Sequence, residues 1–170
     1  PIFDEIPGVK EIADCATAIT FAYDQFRDHP SKENLYLALV TANALEALRF
    51  YVSFACTFSF AERGLVEGSA KVIRFIARDE FQHLALVQQI LKILPHDDPD
   101  FVQIIGDNRG KAIAIFQDAA NQEREWIDYL FMHGSILGLN KKILNDYLTY
   151  LLAQRLANFG VAQDLAISHP

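Results

Sequence analysis

This chain is poor in sulfur and in positive charge. Only Cys15 and Cys56 occur in 170 residues, with one Met and one Trp. Two distant cysteines cannot build a disulfide framework, so a reducing, cytosolic (cytoplasmic) setting is the expectation. Cys56 sits in an apolar helical pattern and reads as core filler rather than as a catalytic thiol. Fifteen Lys and Arg face 22 Asp and Glu, a net charge of −7. No basic run exists to neutralise phosphates, which argues against direct nucleic-acid binding by charge. The apolar runs are interrupted by Glu, Arg, Asp or Gln before they reach bilayer length, so neither a membrane span nor a signal peptide is expected. There is no internal repeat, low-complexity segment or linker composition. Residues 1–170 therefore read as one helical domain, large enough for a sizeable core.

What is present is helical periodicity. Hydrophobic residues make up 51% of the chain. Ile12, Ala16, Ile19, Tyr23 and Phe26 recur at helical spacing over residues 9–27. Asp28-His29-Pro30-Ser31 breaks that helix, and Ser31 can cap the next. A long helix is expected to about residue 61, with Gly64 marking its end. A second runs over 66–94, where Pro95 should stop it. Residues 96–99 form a turn. Residues 101–131 form another helical stretch, interrupted near 106–110. Asn140 caps a last helix over about 141–159.

Two stripes in this pattern carry acids. Leu39, Ala42, Glu46, Phe50 and Phe54 lie on one helix face; Ile76, Glu80, His83, Val87 and Ile90 lie on another. Both stripes otherwise read as core. A buried carboxylate needs a proton, a cation or a metal. Glu-x-x-His on one helix, plus a Glu from a neighbouring helix, is how carboxylate-bridged di-metal bundles meet that need. Such spacing alone is common on solvated helices; it is the placement of both acids inside apolar stripes that favours ligation. Glu123 falls among Phe116, Ala120, Ile127 and Leu130, so spacing would nominate it as well. A salt bridge to a neighbouring Arg, or a helix-edge position, is the expectation there. His29, His96, His133 and His169 fall in turns or tails and read as solvent-facing. Tyr51 is offset from the stripe and should pack against another helix.

The words around these residues are specific. NALEALRFYVSFAC at 43–56, AKVIRFIARDE at 70–80 followed by His83, and WIDYLF at 126–131 running into GSILGLN at 134–140 closely resemble the small, radical-generating (beta) subunit of class I ribonucleotide reductases, in its bacterial and phage class Ia form. The resemblance implies an all-α, ferritin-like bundle, of which this chain is an incomplete half. It implies a di-iron site with Glu46, Glu80 and His83 as metal ligands; manganese or a mixed pair would use the same ligand types. It makes Asp79 a radical-transfer residue that hydrogen-bonds a metal-bound His from the other half. Without the resemblance, Asp79 is a helix-surface acid paired with Arg78 or Arg74. It makes Phe50, Phe54 and Ile76 the apolar pocket around a stable tyrosyl radical, where the bare pattern makes them core. From Glu123 it takes no ligand.

The chain also departs from the family. A complete subunit supplies six ligands, and only the second set of three is here. The first Glu-x-x-His, the Asp ligand and the radical-bearing Tyr are missing. Phe3-Asp4-Glu5-Ile6 resembles the segment just after the lost helix, and His169-Pro170 stops before the tail that docks into the large subunit. With Pro1 in place of Met, the expectation is a processed chain or one piece of a longer product: the C-terminal half of the subunit. The partners implied are an N-terminal half, a large catalytic subunit, and a second copy of the assembled small subunit. A ferritin-type ferroxidase and a metal-free scaffold half are the alternatives.

Overall fold

In the computed structural model, residues 8–136 and 138–158 are described. They are helical, with no strand among them. The 3–6 segment, Leu137, Phe159 and His169 lie outside the described residues. The elements are α1 (Lys10–Asp28), α2 (Lys32–Ala44), a π-helical turn (Leu45–Arg49), α3 (Tyr51–Ala61), α4 (Glu67–Asp97), α5 (Asp100–Asp107), α6 (Arg109–Leu130) and α7 (Lys141–Ala157).

Local chemistry sets most boundaries. Ser31 Oγ accepts from Asn34 N at 3.0 Å and starts α2. Asn140 Oδ1 accepts from Ile143 N at 2.9 Å and starts α7. Each satisfies one of the amides that a helix start leaves open. The expected break near 106–110 falls at Asn108, between α5 and α6. Pro95 does not stop its helix. Its ring removes a single N–H, and the last turn still closes through Asp98 N to Leu94 O at 2.9 Å, so α4 reaches Asp97.

A five-residue connection after α3 turns the chain back, so that α4 lies antiparallel along α2, the π turn and α3. The core lies behind this hairpin. Val40, Leu48 and Val52 meet Phe116 and Ile127 of α6 and Leu148 and Leu156 of α7, all fully buried. Trp126 Nε1 donates to Ser53 Oγ at 3.1 Å and ties α6 to α3. Helix α1 has no fully buried residue and leans on α2 and α6.

One expectation about hydropathy is corrected. The continuous helix over Lys32–Ala61 is long and apolar enough, by length and composition, to cross a membrane. Half of its apolar window is buried inside the chain, and it serves as the central core helix. The reading of the α4 stripe as core is corrected too. The residues that α4 buries are Ala70, Leu84 and Val87, while Ile76 is 39% exposed and His83 is exposed. The stripe that carries the ligands is turned toward the open side of the hairpin.

Two left-handed backbone positions should respond to substitution in opposite directions. Val66, just before α4, has φ 49°, a left-handed conformation that a β-branched residue resists. Gly138 has φ +86°, and a Cβ there would stand 3.1 Å from Arg63 Nη2 and 3.3 Å from Ser59 Oγ. Val66→Gly should raise, and Gly138→Ala lower, the stability read from urea midpoints, each by about 1 kcal/mol or more.

Candidate metal centre

Glu46 lies in the π turn, and Glu80 and His83 lie one helical turn apart on α4. The hairpin brings them together. Each offers one ligand atom, and those atoms all lie within 4.8 Å of one another. His83 Nδ1 stands 3.3 Å from Glu80 Oε2. Glu46 Oε2 is buried without a hydrogen-bond partner. Burial pushes the Glu46 carboxyl above its ordinary value; His83 opposes that rise and Glu80 adds to it. Two carboxylates and an imidazole, one oxygen orphaned and the two acids raising each other's cost, form a donor set that suits a first-row divalent cation. Three protein donors on one side leave the opposite side of such an ion open.

The surroundings sort the other sequence candidates. The Phe50 and Phe54 rings stack at 5.9 Å, and Phe54 is buried. Tyr51 packs on Phe54 at 5.9 Å and feels Arg155 of α7. Ile76 lines the open side. The Asp79 side chain is 52% exposed and pairs with Arg78 at 3.1 Å, one residue away from the triad in sequence. His29, His96 and His133 are exposed. Cys56 is buried in the core cluster.

Glu123 corrects the sequence reading. It is neither at a helix edge nor in an ion pair. It is 5% exposed on α6, and its Oε2 has no partner. Desolvation raises its carboxyl to about 8, with the Arg49 guanidinium pulling the other way. The spacing between Phe116 and Ile127 did announce this burial. Desolvation, rather than a charged partner, dominates its ionisation.

The π turn was missed by sequence reasoning, yet a signal existed. In an α-helix a four-residue step overshoots a full turn by about 40°. Three successive four-residue steps from Ala42 to Phe54 cannot stay on one α-helical face. The i→i+5 bonding of a π turn absorbs the excess residue and keeps Glu46 in line.

The model of the family described as "Ribonucleotide reductase, small chain" matches residues 1–164. This chain belongs to the ribonucleotide reductase small-chain family. It is 51% identical to ribonucleoside-diphosphate reductase 1 subunit beta of Salmonella typhimurium, over 94% of this chain and 50% of that protein. It is 40% identical to the ribonucleoside-diphosphate reductase subunit beta of Enterobacteria phage T4, over 81% of this chain and 37% of that protein. A ribonucleotide reductase R2 subunit from Clostridium botulinum superposes with a TM-score of 0.86 at 24% identity, covering 99% of this chain and 52% of that chain. This small chain thus spans about half the length of the curated relatives it matches. The all-α, ferritin-like reading holds.

The raised Glu123 carboxyl has a pH signature. In the unfolded chain a Glu ionises near 4.5, while in the fold it holds its proton to about 8. The folded state binds more protons across that window, so stability falls as pH rises from about 4.5 to 8 and levels off above. Glu123→Gln should abolish that component. Urea unfolding should show the variant close to the parent at low pH and more stable than it at pH 8.

Proposed function

We propose that this chain supplies one side of the di-metal centre of a ribonucleoside-diphosphate reductase small subunit. The observation that carries the reading is the convergence of Glu46, Glu80 and His83 from the π turn and α4. The remaining ligands come from a complementary N-terminal half, wherever it is encoded. The pair of ions is iron; manganese or a mixed iron–manganese pair fits the same donors. When bound, it provides the oxidising chemistry toward O₂ that yields a tyrosyl radical in the complementary half. The large subunit then uses that equivalent to reduce ribonucleotides.

The chain's own residues have distinct tasks in this reading. Glu46, Glu80 and His83 hold metal. Phe50, Phe54 and Ile76 keep water from the radical's side of the site. Asp79 turns from Arg78 to a metal-bound imidazole of the complementary half, and so fixes that ring's orientation. The open face of α4 supports the need for such a half. Val72, Phe75, Ile76, Leu86 and Ile93 are all exposed there, with relative exposures from 39% to 60%. An apolar stripe of this kind marks an interface. The assembled small subunit pairs with a second copy, giving a heterotetramer if the halves are separate chains. Its compartment is a reducing, cytoplasmic one.

Three outcomes check the proposal. Alone, the chain should self-associate and bind ferrous iron weakly. Co-expressed with a cognate first half, it should become well behaved. Adding ferrous iron in air to that assembly should then give a tyrosyl radical signal in electron paramagnetic resonance. Full iron loading without a signal would sink the radical role. Glu80→Gln and His83→Ala should each lower iron affinity by tenfold or more, read by competition with a chelator. Asp79→Asn should spare loading but lower turnover with the large subunit.

A further inference from the structure

The π turn that carries Glu46 ends on Arg49, and the Arg49 guanidinium is held from outside its own helix. Its Nη1 donates to Cys15 Sγ of α1 at 2.9 Å, a part-buried contact between residues 34 apart. On another side stands Glu123 of α6, 5% exposed, with Oε2 unpartnered. Arg49 acts electrostatically on both Glu123 and Cys15, and Glu123 acts on Cys15. The π turn and α1, distant in sequence, are therefore joined at one cation, three residues after Glu46.

This placement has no use in simple packing. A part-buried guanidinium costs desolvation that a Met or Leu would avoid. What Arg adds is a long, planar donor group that reaches Cys15 in a geometry the single ammonium of Lys does not reproduce. A π turn is a rare insertion in an α-helix, found most often at functional sites. We propose that Arg49 is a positioning residue for Glu46: tied to Cys15 of α1, it holds the π turn in place and so fixes where the Glu46 carboxylate is presented. Arg49 is not one of the three converging ligand residues; it acts through the backbone of the turn. The functional part of this inference rests on the reading of Glu46 as a ligand, while the structural part does not.

Hydrogen exchange by mass spectrometry, on the full chain without metal, reads the structural part. Arg49→Met should speed exchange across Leu45–Arg49 at least tenfold, and Arg49→Lys should fail to restore it. Exchange in Lys141–Ala157 should stay at the parent rate. Cys15→Val, which removes only the acceptor, should loosen the same five residues, and Cys15→Ser, which keeps one, should not. Equal acceleration in both segments, or none in the turn, would overturn the proposal. The functional part is read in the assembled subunit with cobalt(II) as probe. Arg49→Met should shift the cobalt absorption bands and weaken binding at least fivefold, whereas a merely structural role would lower the amount of folded protein and leave the bands unmoved. If the parent assembly binds no cobalt, the metal reading fails while the exchange result still decides the fate of Arg49.

Discussion

The structure turns on the cost of taking the Glu46 carboxylate out of water. One of its oxygens is buried with no partner, and its neighbours Glu80 and His83 lie on the facing helix. Such a group is tolerable when a counter-charge reaches it. The α2–α4 hairpin exists in a form that makes this possible. A short connection after α3 brings the two ligand stripes into register, while α6 and α7 pack the back of the hairpin and keep it rigid. Rigidity matters because ligand atoms on two separate helices hold their spacing only if the helices cannot slide.

The hairpin also divides the chain into two surfaces of different character. Its back is a closed hydrocarbon core of Leu, Ile, Phe and Ala side chains. Its front carries the ligands, with His83 and much of the α4 stripe open. Helix α4 illustrates the division within one element. Ala70 and Leu84 are buried on one side, and Val72, Phe75 and Leu86 are exposed on the other. A helix apolar on two sides has more apolar surface than one core covers, and among the described residues the second side of α4 is left exposed.

Much of this was legible in the residues. Ser31 and Asn140 announced helix starts because their side chains accept from the third amide onward, a strictly local bond. The Glu46, Glu80 and His83 grouping followed from two periodicities and one short connection. The misses have equally physical reasons. Pro95 was read as a stop, but a proline near a helix end costs one bond whose loss the final turn survives. Periodicity cannot say which of two apolar faces on α4 this chain itself covers. Glu123 was assigned a salt bridge or a helix-edge position; the depth of burial that raises its carboxyl to about 8 is a tertiary property that spacing does not report.

The π turn makes fold and site separable within a single helix. The apolar steps from Leu39 run three, four, four and four. Removing one residue between Glu46 and Phe50 would make them three, four, three and four, the rhythm of a regular α-helix. Both flanking faces would stay in phase, at the loss of buried Ala47 or Leu48 or of the Arg49 bond to Cys15. What would vanish is the bulge on which Glu46 is mounted. The extra residue is what the wider π turn requires, and a shorter helix would lack that turn. It is the length of chain that mounts Glu46 opposite Glu80 and His83, and a helix without it would carry Glu46 on a regular α-helical turn instead.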